Sequence, residues 1–572
     1  MALERSDAVL QQAIHLHEKG QLAEAAVLYR KVLAQDPKNA DALSLLGVIE
    51  QQRGNAPAAI DLIGRAIKID PSHAAYHANY GTALRELKRF EAALESYDRA
   101  LALRPRFAEA FNNRGNVLRD MKRFDEALSS YDRALEVEPA YGDALGNRGG
   151  VLGALGRHDE ALSCFDRWTV LNPGNSCAHY NRGVLLQTLK RRGEAIAAYE
   201  RAIALKPDFA QAHNNLGNVL AEEGKFGEAA ASHERALQAS PGYIEARMNL
   251  AAILRKQGKL DDAIAQYGQV TANVPQYPDA YIALGEILFD RGKQEDALRA
   301  AKVAARLKER PSFPHFSLGL LLARCGRRED AREFLLAYLE RDPDDAEGAR
   351  LILAGLGFAS IPERASESLL RKLYSGRAER WGGAKSTYRG HELVAAAVEK
   401  LRPGAKGLDV LDAGCGTGLV GDELRAIARR LDGVDLMPEM LERAKESRVY
   451  DALHRGDLID FLAAHPRAYD LVSSAATLIH FGDLQPVFRA AHASLKPGGL
   501  FVFTLFPSDE SADVSVAPLG GLAEGGCYLH GRGYVARIAA ELGFSVALME
   551  TGVHERHGDR EIVGLVVALE TR

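Results

Sequence analysis

The sequence of 572 residues is poor in cysteine and in long apolar runs. Its cysteines form no CxxC pair, and their spacing fits neither a zinc site nor a disulfide framework. They are Cys164, Cys177, Cys325, Cys415 and Cys527. No run of 18 apolar residues is present, so no membrane-spanning helix is predicted. The N-terminus lacks the apolar segment of a signal peptide, and we therefore expect a cytoplasmic protein.

An excess of positive charge is also absent. The chain has 72 Lys and Arg against 77 Asp and Glu, a net charge of −5. This balance gives no electrostatic basis for binding nucleic acid or an anionic membrane. Aromatic residues make up only 7% of the chain, which favours closely packed helices over a β-rich fold. A content of 47% hydrophobic residues excludes global disorder. No metal site is predicted.

A period of 34 residues governs the first 345 positions. Prolines recur every 34 residues from Pro37 to Pro275, and Pro343 continues the series. One position of each of the ten units is Ala, from Ala25 to Ala331, and a Gly or Ala lies twelve residues before it. Small residues at these positions allow two helices to approach closely, and the proline ends the second helix. Because such a pair cannot bury its apolar face alone, the units are expected to stack into a solenoid.

This period resembles the tetratricopeptide repeat over residues 6–345. We predict a capping helix at Ala346–Leu356, so that the repeat domain spans residues 1–356. The resemblance implies a protein or extended peptide as the partner in a groove lined by the first helix of each unit. Trp168 stands where most units have Ala, which predicts an adjusted core or an aromatic edge open to a ligand.

A column of asparagines follows the same period along these first helices. An amide carries a donor and an acceptor on one planar group, so it can pair with a peptide backbone. The column is similar to the asparagine ladder in the repeats of the cytoplasmic N-acetylglucosamine transferase. Alternatively, these residues face solvent or bond the neighbouring unit. They are Asn79, Asn113, Asn147, Asn181, Asn215 and Asn249.

The period ends in a stretch rich in Gly, Pro and Ser, which predicts a linker over residues 357–367. Residues 368–572 then alternate apolar runs with helical patterns, which is typical of a doubly wound parallel sheet. The predicted strands are Leu408–Ala413, Gly433–Leu436, Leu453–Arg455, Tyr469–Ser474 and Leu500–Leu505. The predicted helices are Leu419–Arg430, Pro438–Ser447, Leu458–His465 and Leu484–Leu495. Two final runs without a helix between them, Phe544–Glu550 and Glu561–Glu570, predict an antiparallel hairpin.

A glycine-rich turn follows the first predicted strand. Such a turn also fits a dinucleotide site, but three acids at strand ends narrow the choice. Asp412 beside the loop would repel a pyrophosphate and suits a cationic group. Asp435, 19 residues after Gly416, is placed to accept two ribose hydroxyls. Asp457 is placed to accept an adenine amino group, although it also suits the N-cap of the next helix.

These residues resemble the Rossmann-like S-adenosylmethionine-dependent methyltransferases. The likeness runs through VLDAGCGTG, GVDLMPEMLERA, YDLVSSAATLIHF, LKPGG and the final hairpin. With the repeats, the chain resembles bacterial predicted methyltransferases that carry tetratricopeptide repeats. The resemblance implies a mostly parallel seven-stranded sheet after an α-solenoid. It also implies a cofactor site made of Asp412, Ala413, Gly414, Cys415, Gly416, Gly418, Asp435, Leu436, Met437, Asp457, Leu458 and Ser474.

Catalytic candidates follow the fourth and fifth predicted strands. His480 is the first candidate for a base or polar clamp, and Tyr528 and His530 come second. Three aromatic residues before the first strand are candidates for a lid: Tyr374, Trp381 and Tyr388. The related enzymes lead us to expect an acid where this chain has Ala476 and an aromatic residue where it has His480.

The sequence therefore predicts transfer of a methyl group from S-adenosylmethionine to an oxygen or nitrogen nucleophile, with the repeats recruiting a partner. The alternative, motivated by Ala476, is a repeat scaffold whose α/β domain binds the cofactor without catalysis. An NAD-dependent oxidoreductase is a third interpretation, against which the terminal hairpin and the Asp412 loop argue.

Overall fold

We describe the fold from a computed structural model. It covers residues 2–310, 312–375, 387–508, 512–517, 527–557 and 560–572. The chain divides into two compact units, Met1–Gln266 and Tyr267–Arg572, which we describe separately. The second unit holds the last repeats together with the β-sheet.

Ten helix pairs occupy the described part of the repeat region. Within most units the first helix has 13 residues and the second 14, and a short turn joins them. The pairs are α1 Ala2–Glu18 with α2 Leu22–Gln35, α3 Ala40–Gln52 with α4 Ala56–Ile69, α5 Ala74–Glu86 with α6 Phe90–Leu103, α7 Ala108–Asp120 with α8 Phe124–Val137, α9 Gly142–Ala154 with α10 His158–Leu171, α11 Ser176–Thr188 with α12 Arg192–Leu205, α13 Ala210–Glu222 with α14 Phe226–Ala239, α15 Ile244–Lys256 with α16 Leu260–Asn273, α17 Pro278–Asp290 with α18 Gln294–Ala305, and α19 His315–Arg324 with α20 Arg328–Arg341. The predicted α-solenoid of tetratricopeptide repeats is confirmed.

The small residues of the period allow these helices to pack closely. Every alanine of the fixed column has no exposed surface. A Cβ atom added at Gly81 would meet the ring of Tyr97 at 2.9 Å, and one at Gly115 would meet Tyr131 at 2.6 Å. Each aromatic ring therefore fills the space left by the glycine of its own repeat.

Trp168 is accommodated by the same device. It is 5% exposed, and its ring lies against Gly142 and Gly146 of α9. A Cβ atom at Gly146 would approach the ring to 2.6 Å. The substitution of Trp for Ala is thus matched by glycines on the facing helix, which is an adjustment of the core.

In the described part of the chain between the repeats and the sheet there are three helices. They are α21 Ala349–Gly355, α22 Glu367–Ser375 and α23 Gly390–Leu401. The capping helix is shorter than predicted because Asp345 and Gly348, both with positive φ, turn the chain before it. Among the described residues, no helix is both long and apolar enough to cross a membrane.

The sheet contains a mostly parallel seven-stranded core. Its order is β3-β2-β1-β4-β5-β9-β8, in which β9 runs antiparallel to both β5 and β8. A small pair, β6 and β7, continues from the end of β5. The strands are β1 Leu408–Ala413, β2 Ala428–Asp435, β3 Ala452–Arg455, β4 Tyr469–Ser474, β5 Leu495–Pro507, β6 Val514–Val516, β7 Tyr528–His530, β8 Phe544–His557 and β9 Arg560–Thr571. The predicted fold class, including the terminal hairpin, is confirmed.

Helices cover both faces of this sheet. Helices α26, α27 and α28 contribute to one apolar core, while α23 and α24 contribute to the other. A short 3₁₀ turn, Leu478–His480, follows β4. The remaining helices are α24 Leu419–Leu424, α25 Pro438–Ser447, α26 Leu458–Ala464, α27 Gln485–Ser494 and α28 Arg532–Glu541.

Several predicted boundaries are wrong, including that of the helix after the glycine-rich turn. The helix expected over Leu419–Arg430 ends at Leu424, and β2 begins at Ala428. Arg429 and Arg430 suit a helix by propensity, but in the strand they pair with Asp409 and Asp432. These tertiary ion pairs are invisible to a local pattern.

Candidate functional site

A cavity of about 540 Å³ opens at the carboxyl ends of the central strands. This edge of an open α/β sheet is where such folds bind ligands. Loops after β1, β2, β3 and β4 line it, and the segment between the last repeat and α23 forms a further wall.

The glycine-rich loop after β1 forms the floor of this cavity. Gly414 and Gly416 have φ angles of +78° and +54°. A Cβ atom at Gly414 would lie 2.1 Å from the hydroxyl oxygen of Thr477, so no side chain fits there. Cys415 is 5% exposed, and burial raises the pKa of its thiol well above the ordinary value. The thiol is therefore protonated and packed, and not a reactive thiolate.

Asp435 ends β2 beside that loop. Its Oδ2 accepts the backbone N–H of Gly416 at 2.8 Å, and its Oδ1 accepts that of Met437 at 2.8 Å. Burial raises the pKa of this carboxyl group, although the backbone donors oppose the shift. Each oxygen retains a lone pair for a further donor. Asp435 thus presents two fixed acceptors to the cavity.

Asp457 lies at the end of β3 and has two partners. Its Oδ1 caps α26 by accepting the backbone N–H of Ile459 at 2.9 Å. Its Oδ2 accepts a hydrogen bond from Arg364 at 2.6 Å. The residue therefore serves as the N-cap and also lines the cavity.

Eight of the twelve predicted cofactor residues line the cavity: Gly414, Cys415, Gly416, Asp435, Leu436, Met437, Asp457 and Leu458. The other four lie behind the loop. Asp412 is completely buried, and Tyr450 donates to its Oδ2 at 2.7 Å. Ser474 donates to the carbonyl of Ala413 at 2.7 Å, which ties β4 to β1, and Gly418 is the N-cap residue of α24.

The placement of Asp412 corrects its expected direct contact with a cationic ligand. Burial raises the pKa of this carboxyl group to about 7. Ser473 is its second hydroxyl neighbour, at 3.4 Å. These contacts make Asp412 a support for the loop and not part of the cavity wall.

His480 lines the cavity, as predicted for the first catalytic candidate. Its Nε2 lies 2.7 Å from the hydroxyl of Tyr374 on α22. Tyr374 and Tyr388 also line the cavity, which agrees with the expected lid, whereas Trp381 lies outside the described residues.

Tyr528 and His530 are not in the cavity wall, which corrects their expected place beside the reacting groups. Both are fully buried beneath the turn that carries His480. Nε2 of His530 donates to the carbonyl of Phe481 at 2.8 Å. Burial lowers the pKa of His530 to about 4, so this ring is neutral near pH 7. The two side chains support the His480 turn from behind, because β7 passes under it.

Ala476 occupies the position where an acid is expected. It lines the cavity with a φ of +58°, a conformation that non-glycine residues seldom adopt. Its backbone N–H donates to the hydroxyl of Thr504 at 2.9 Å. A short methyl group thus faces the cavity where a carboxylate was expected.

The charged side chains of the cavity are mostly acidic. Among the residues that the structure describes, six carboxylates line it, against the guanidinium of Arg364 and no lysine. The carboxylates belong to Glu363, Glu367, Asp435, Asp457, Asp460 and Asp483. Among the described residues, no group of three or more His, Cys, Asp or Glu is arranged to hold a metal ion. The cavity therefore suits a cationic or neutral organic ligand.

The asparagines of the column make most of their side-chain hydrogen bonds to other repeat residues. Four of its amides donate to a residue 35 positions earlier, in the preceding repeat. Asn147 donates to Asn112 at 2.9 Å and accepts from Arg119 at 3.2 Å. This agrees with the alternative interpretation, in which the column bonds neighbouring units. The donors are Asn79, Asn147, Asn215 and Asn249.

A second cavity of about 510 Å³ nevertheless lies along this column. Asn113, Asn147 and Asn181 line it, together with the edge of Trp168. The described contacts include no side-chain hydrogen bond of Asn181. The middle repeats therefore offer amides that a ligand could reach.

Several residues in the cavity wall or behind it were missed by the sequence analysis. Arg364, Glu363 and Glu367 fall in the predicted linker, whose composition gave no sign of a site. Thr477 stacks over Gly414, and Tyr450 holds Asp412 from 38 residues away. Of these residues, only Thr477 lies within one of the motifs that carry the family resemblance, YDLVSSAATLIHF.

Protein-family models match parts of both regions. Residues 387–548 match a methyltransferase domain. Tetratricopeptide repeat models match residues 16–81 and 220–287, 180–244 and 108–141, and others match further parts of the repeat region.

Similar curated proteins match about a fifth of this chain. A ubiquinone biosynthesis O-methyltransferase of Sodalis glossinidius is 34% identical over 105 residues, covering 18% of this chain and 42% of that protein. One from Xanthomonas campestris is 35% identical over 119 residues, covering 20% and 48%. One from Klebsiella pneumoniae is 31% identical over 139 residues, covering 22% and 56%. The chain spans about half the length of the relatives that it matches.

Solved structures similar to this chain include two that are named as tetratricopeptide repeat proteins. MamA is 26% identical and covers 28% of this chain and 94% of its own, with a TM-score of 0.26. YrrB, described as a TPR protein with an unusual peptide-binding site, is 26% identical, covers 32% and 95%, and has a TM-score of 0.28. A tetratricopeptide repeat protein from Parabacteroides merdae is 19% identical, covers 44% and 99%, and has a TM-score of 0.36. Scores this low support no statement about function.

Proposed function

We propose that this chain, which joins tetratricopeptide repeats to a C-terminal methyltransferase domain, transfers a methyl group from S-adenosylmethionine to an oxygen or nitrogen nucleophile. The observation that carries the proposal is Asp435. Its two carboxylate oxygens are fixed by the Gly416 and Met437 amides at the edge of the glycine loop. Paired acceptors at this strand end suit the two hydroxyls of a ribose.

The rest of the cavity fits the same cofactor. Its excess of carboxylates over guanidinium groups suits a sulfonium and an ammonium group. Met437 and Met440 form an apolar cluster with Leu370 beside Asp435, which provides a surface for an adenine ring. Asp457 adds an acceptor for the adenine amino group. Gly414 and Gly416 let the backbone approach the ligand closely.

Bound S-adenosylmethionine would supply a methyl group that is activated by a sulfonium leaving group. The protein's part is then to orient the acceptor and to exclude water. His480 and Tyr374 are the polar pair at the cavity wall, 2.7 Å apart. His480 is the group that we assign to hold or remove the proton of a hydroxyl or ammonium acceptor.

The relatives support oxygen as the acceptor atom, since their names specify an O-methyltransferase. Because they match over about half their length, the acceptor molecule itself is not carried over. The alternative function is a scaffold that binds the cofactor without catalysis. It is favoured by Ala476, which offers no carboxylate at a position facing the cavity.

For the repeats, we propose recruitment of a protein or peptide partner. The cavity lined by Asn113, Asn147 and Asn181 supports this role, because it offers amide groups in a row. A cytoplasmic location belongs to the same proposal. The five cysteines are unpaired, as expected in a reducing compartment.

Isothermal titration of the full chain tests the cofactor. We expect S-adenosylmethionine and S-adenosylhomocysteine to bind with a stoichiometry of about one and NAD⁺ not to bind. Binding of NAD⁺ without binding of S-adenosylhomocysteine would refute the proposal. Labelling a cell lysate with methyl-labelled cofactor, with and without the protein, then separates the enzyme from the scaffold. Cofactor binding without any protein-dependent labelled product would favour the scaffold.

A further inference from the structure

The segment that enters the α/β region, residues 362–374, is not a passive linker. We call it the wall segment. Six of its residues line the cavity: Glu363, Arg364, Ala365, Glu367, Leu370 and Tyr374. The methyltransferase family match begins only at residue 387, so this wall lies outside the matched region.

The backbone of the wall segment pairs with the turn that carries His480. The N–H of Ala365 donates to the carbonyl of His480 at 2.9 Å. In return, the carbonyl of Glu363 accepts the N–H groups of Gly482 and Asp483 at 2.7 and 3.0 Å. A Cβ atom at Gly482 would lie 2.2 Å from the carbonyl oxygen of Pro362, so glycine permits this close pairing.

Two side chains of the wall segment hold cavity residues that follow different strands. Arg364 donates to Asp457, which follows β3, at 2.6 Å. Tyr374 meets His480, which follows β4, at 2.7 Å. The pairs are 93 and 106 residues apart in sequence. Each bond restricts the rotamers of a group that the proposed chemistry needs in one orientation.

The same segment is anchored on the end of the tenth repeat. The hydroxyl of Ser366 donates to the carbonyl of Asp345 at 2.9 Å and accepts the N–H of Leu369 at 3.1 Å. Lys372 forms an ion pair with Glu347. Leu369 packs over Gly348, where an added Cβ atom would meet it at 3.0 Å. The wall segment therefore lies between the repeat cap, residues 345–355, and the cavity.

We propose that the wall segment completes the cofactor site, with Arg364 and Tyr374 as positioning residues for Asp457 and His480. Through it, cofactor occupancy and packing of the repeat cap stabilise each other. This inference rests on the proposed function, since it takes S-adenosylmethionine as the ligand. Coupling of this kind is reciprocal: whatever tightens the wall segment on the cap also tightens cofactor binding.

Titration of full-length variants with two ligands tests the Arg364 contact. The ligands are S-adenosylhomocysteine and S-inosylhomocysteine, in which a carbonyl oxygen replaces the adenine amino group. We expect Arg364→Ala to weaken S-adenosylhomocysteine by about tenfold or more and the inosyl ligand much less, because Asp457 loses its orientation toward the amino group. Arg364→Lys should recover part of the preference, which a merely structural defect would not allow. Arg443→Ala, which removes an exposed ion pair with Glu446 on α25, is the matched control.

Hydrogen exchange of the wild-type full chain tests the coupling without a variant. Saturation with S-adenosylhomocysteine should slow amide exchange by severalfold in residues 345–353 and 363–375. If the ligand binds but these amides exchange unchanged, or if Arg364→Ala keeps both affinity and preference, the inference is overturned while the proposed function stands. If the wild-type chain binds no S-adenosylhomocysteine, the proposed function itself fails.

Discussion

The asparagine column of the repeats and Asp435 at the strand end use their hydrogen-bonding atoms differently. In the column, amide N–H groups bind the preceding repeat, as when Asn147 donates to Asn112. At the strand end, Asp435 accepts two amides of its own site and still faces the cavity. Asp412, one strand away, resembles the column, since Tyr450 and Ser473 contact its oxygens in the interior.

A polar side chain can bind a ligand only through donors and acceptors that are not already hydrogen-bonded within the protein. Nδ2 of Asn249 donates its two N–H groups to Asn214 and Asn218. Each carboxylate oxygen of Asp435 accepts one backbone N–H and has a second lone pair that can accept a hydrogen bond from a ligand. Both patterns look alike in the sequence, so the distinction lies in the contacts.

The largest effect is expected from Asp435→Asn. The amide retains one acceptor oxygen, but its NH₂ group must then face a backbone N–H of Gly416 or Met437. We expect affinity for S-adenosylhomocysteine to fall by about 100-fold or more, because a charge-assisted acceptor is lost and two donors collide. Isothermal titration measures the loss.

Asp451→Asn is the control for this change. Asp451 also accepts a backbone amide, that of Leu431 at 2.7 Å, and pairs with Arg425, but it does not line the cavity. Its affinity should stay within about twofold of wild type. If both variants lose the same affinity for S-adenosylhomocysteine, Asp435 acts through the stability of the fold and not through contact with the ligand. The contrast between Asp435 and the asparagine column would then be refuted.

Much of this architecture follows from local patterns. Pro37 and its successors, with the column from Ala25 to Ala331, predict the helix pairs, because every unit repeats the same packing problem. Strands β1 and β4 were predicted with their full bounds, since each is a short buried run. The eight cavity residues of the predicted set follow from their positions at strand ends.

The wall of the site follows from no local pattern. Arg364 reaches Asp457 across 93 residues, and its surroundings read as a linker. Tyr528 and His530 follow β5 in sequence, but β7 carries them beneath the His480 turn. Tertiary packing decides on which side of a turn a residue lies, and the periodicity of the sequence does not predict it.

A pH-dependent effect is expected from Asp412. Burial raises its folded pKa to about 7, above the ordinary value of about 3.9 for an unfolded Asp. Its contribution to stability is thus fully present below pH ~4 and is lost as the pH rises toward 7, by up to roughly 1.4 kcal/mol per pH unit. Asp412→Asn removes this titration, so urea unfolding should show the variant gaining on wild type between pH 5 and 8.

Asp409 on the same strand provides a control of opposite sign. Hydrogen bonds from Arg429 and Lys496 lower its pKa, so its contribution is present above pH ~4 and lost only in acid. The cost of Asp409→Asn should therefore be nearly constant between pH 5 and 8. If the cost of Asp412→Asn is also constant over this range, Asp412 is ionised in the folded protein like Asp409, and the expected titration is refuted.

The smallest effect concerns the column itself, where two copies of one position differ in their bonds. Asn147 bonds Asn112 and Arg119, whereas no side-chain bond of Asn181 is found among the described contacts. We expect Asn147→Ala to lower the free energy of unfolding by about 1 kcal/mol and Asn181→Ala by close to zero, as measured by urea denaturation. In a pull-down the order should reverse, and Asn181→Ala should lose more of the partner than Asn147→Ala. Both residues line the same cavity, but of the two only Asn181 has an amide without a described side-chain hydrogen bond. If Asn181→Ala leaves recovery unchanged at equal protein stability, the column serves the stack alone, and ligand binding belongs to the strand ends.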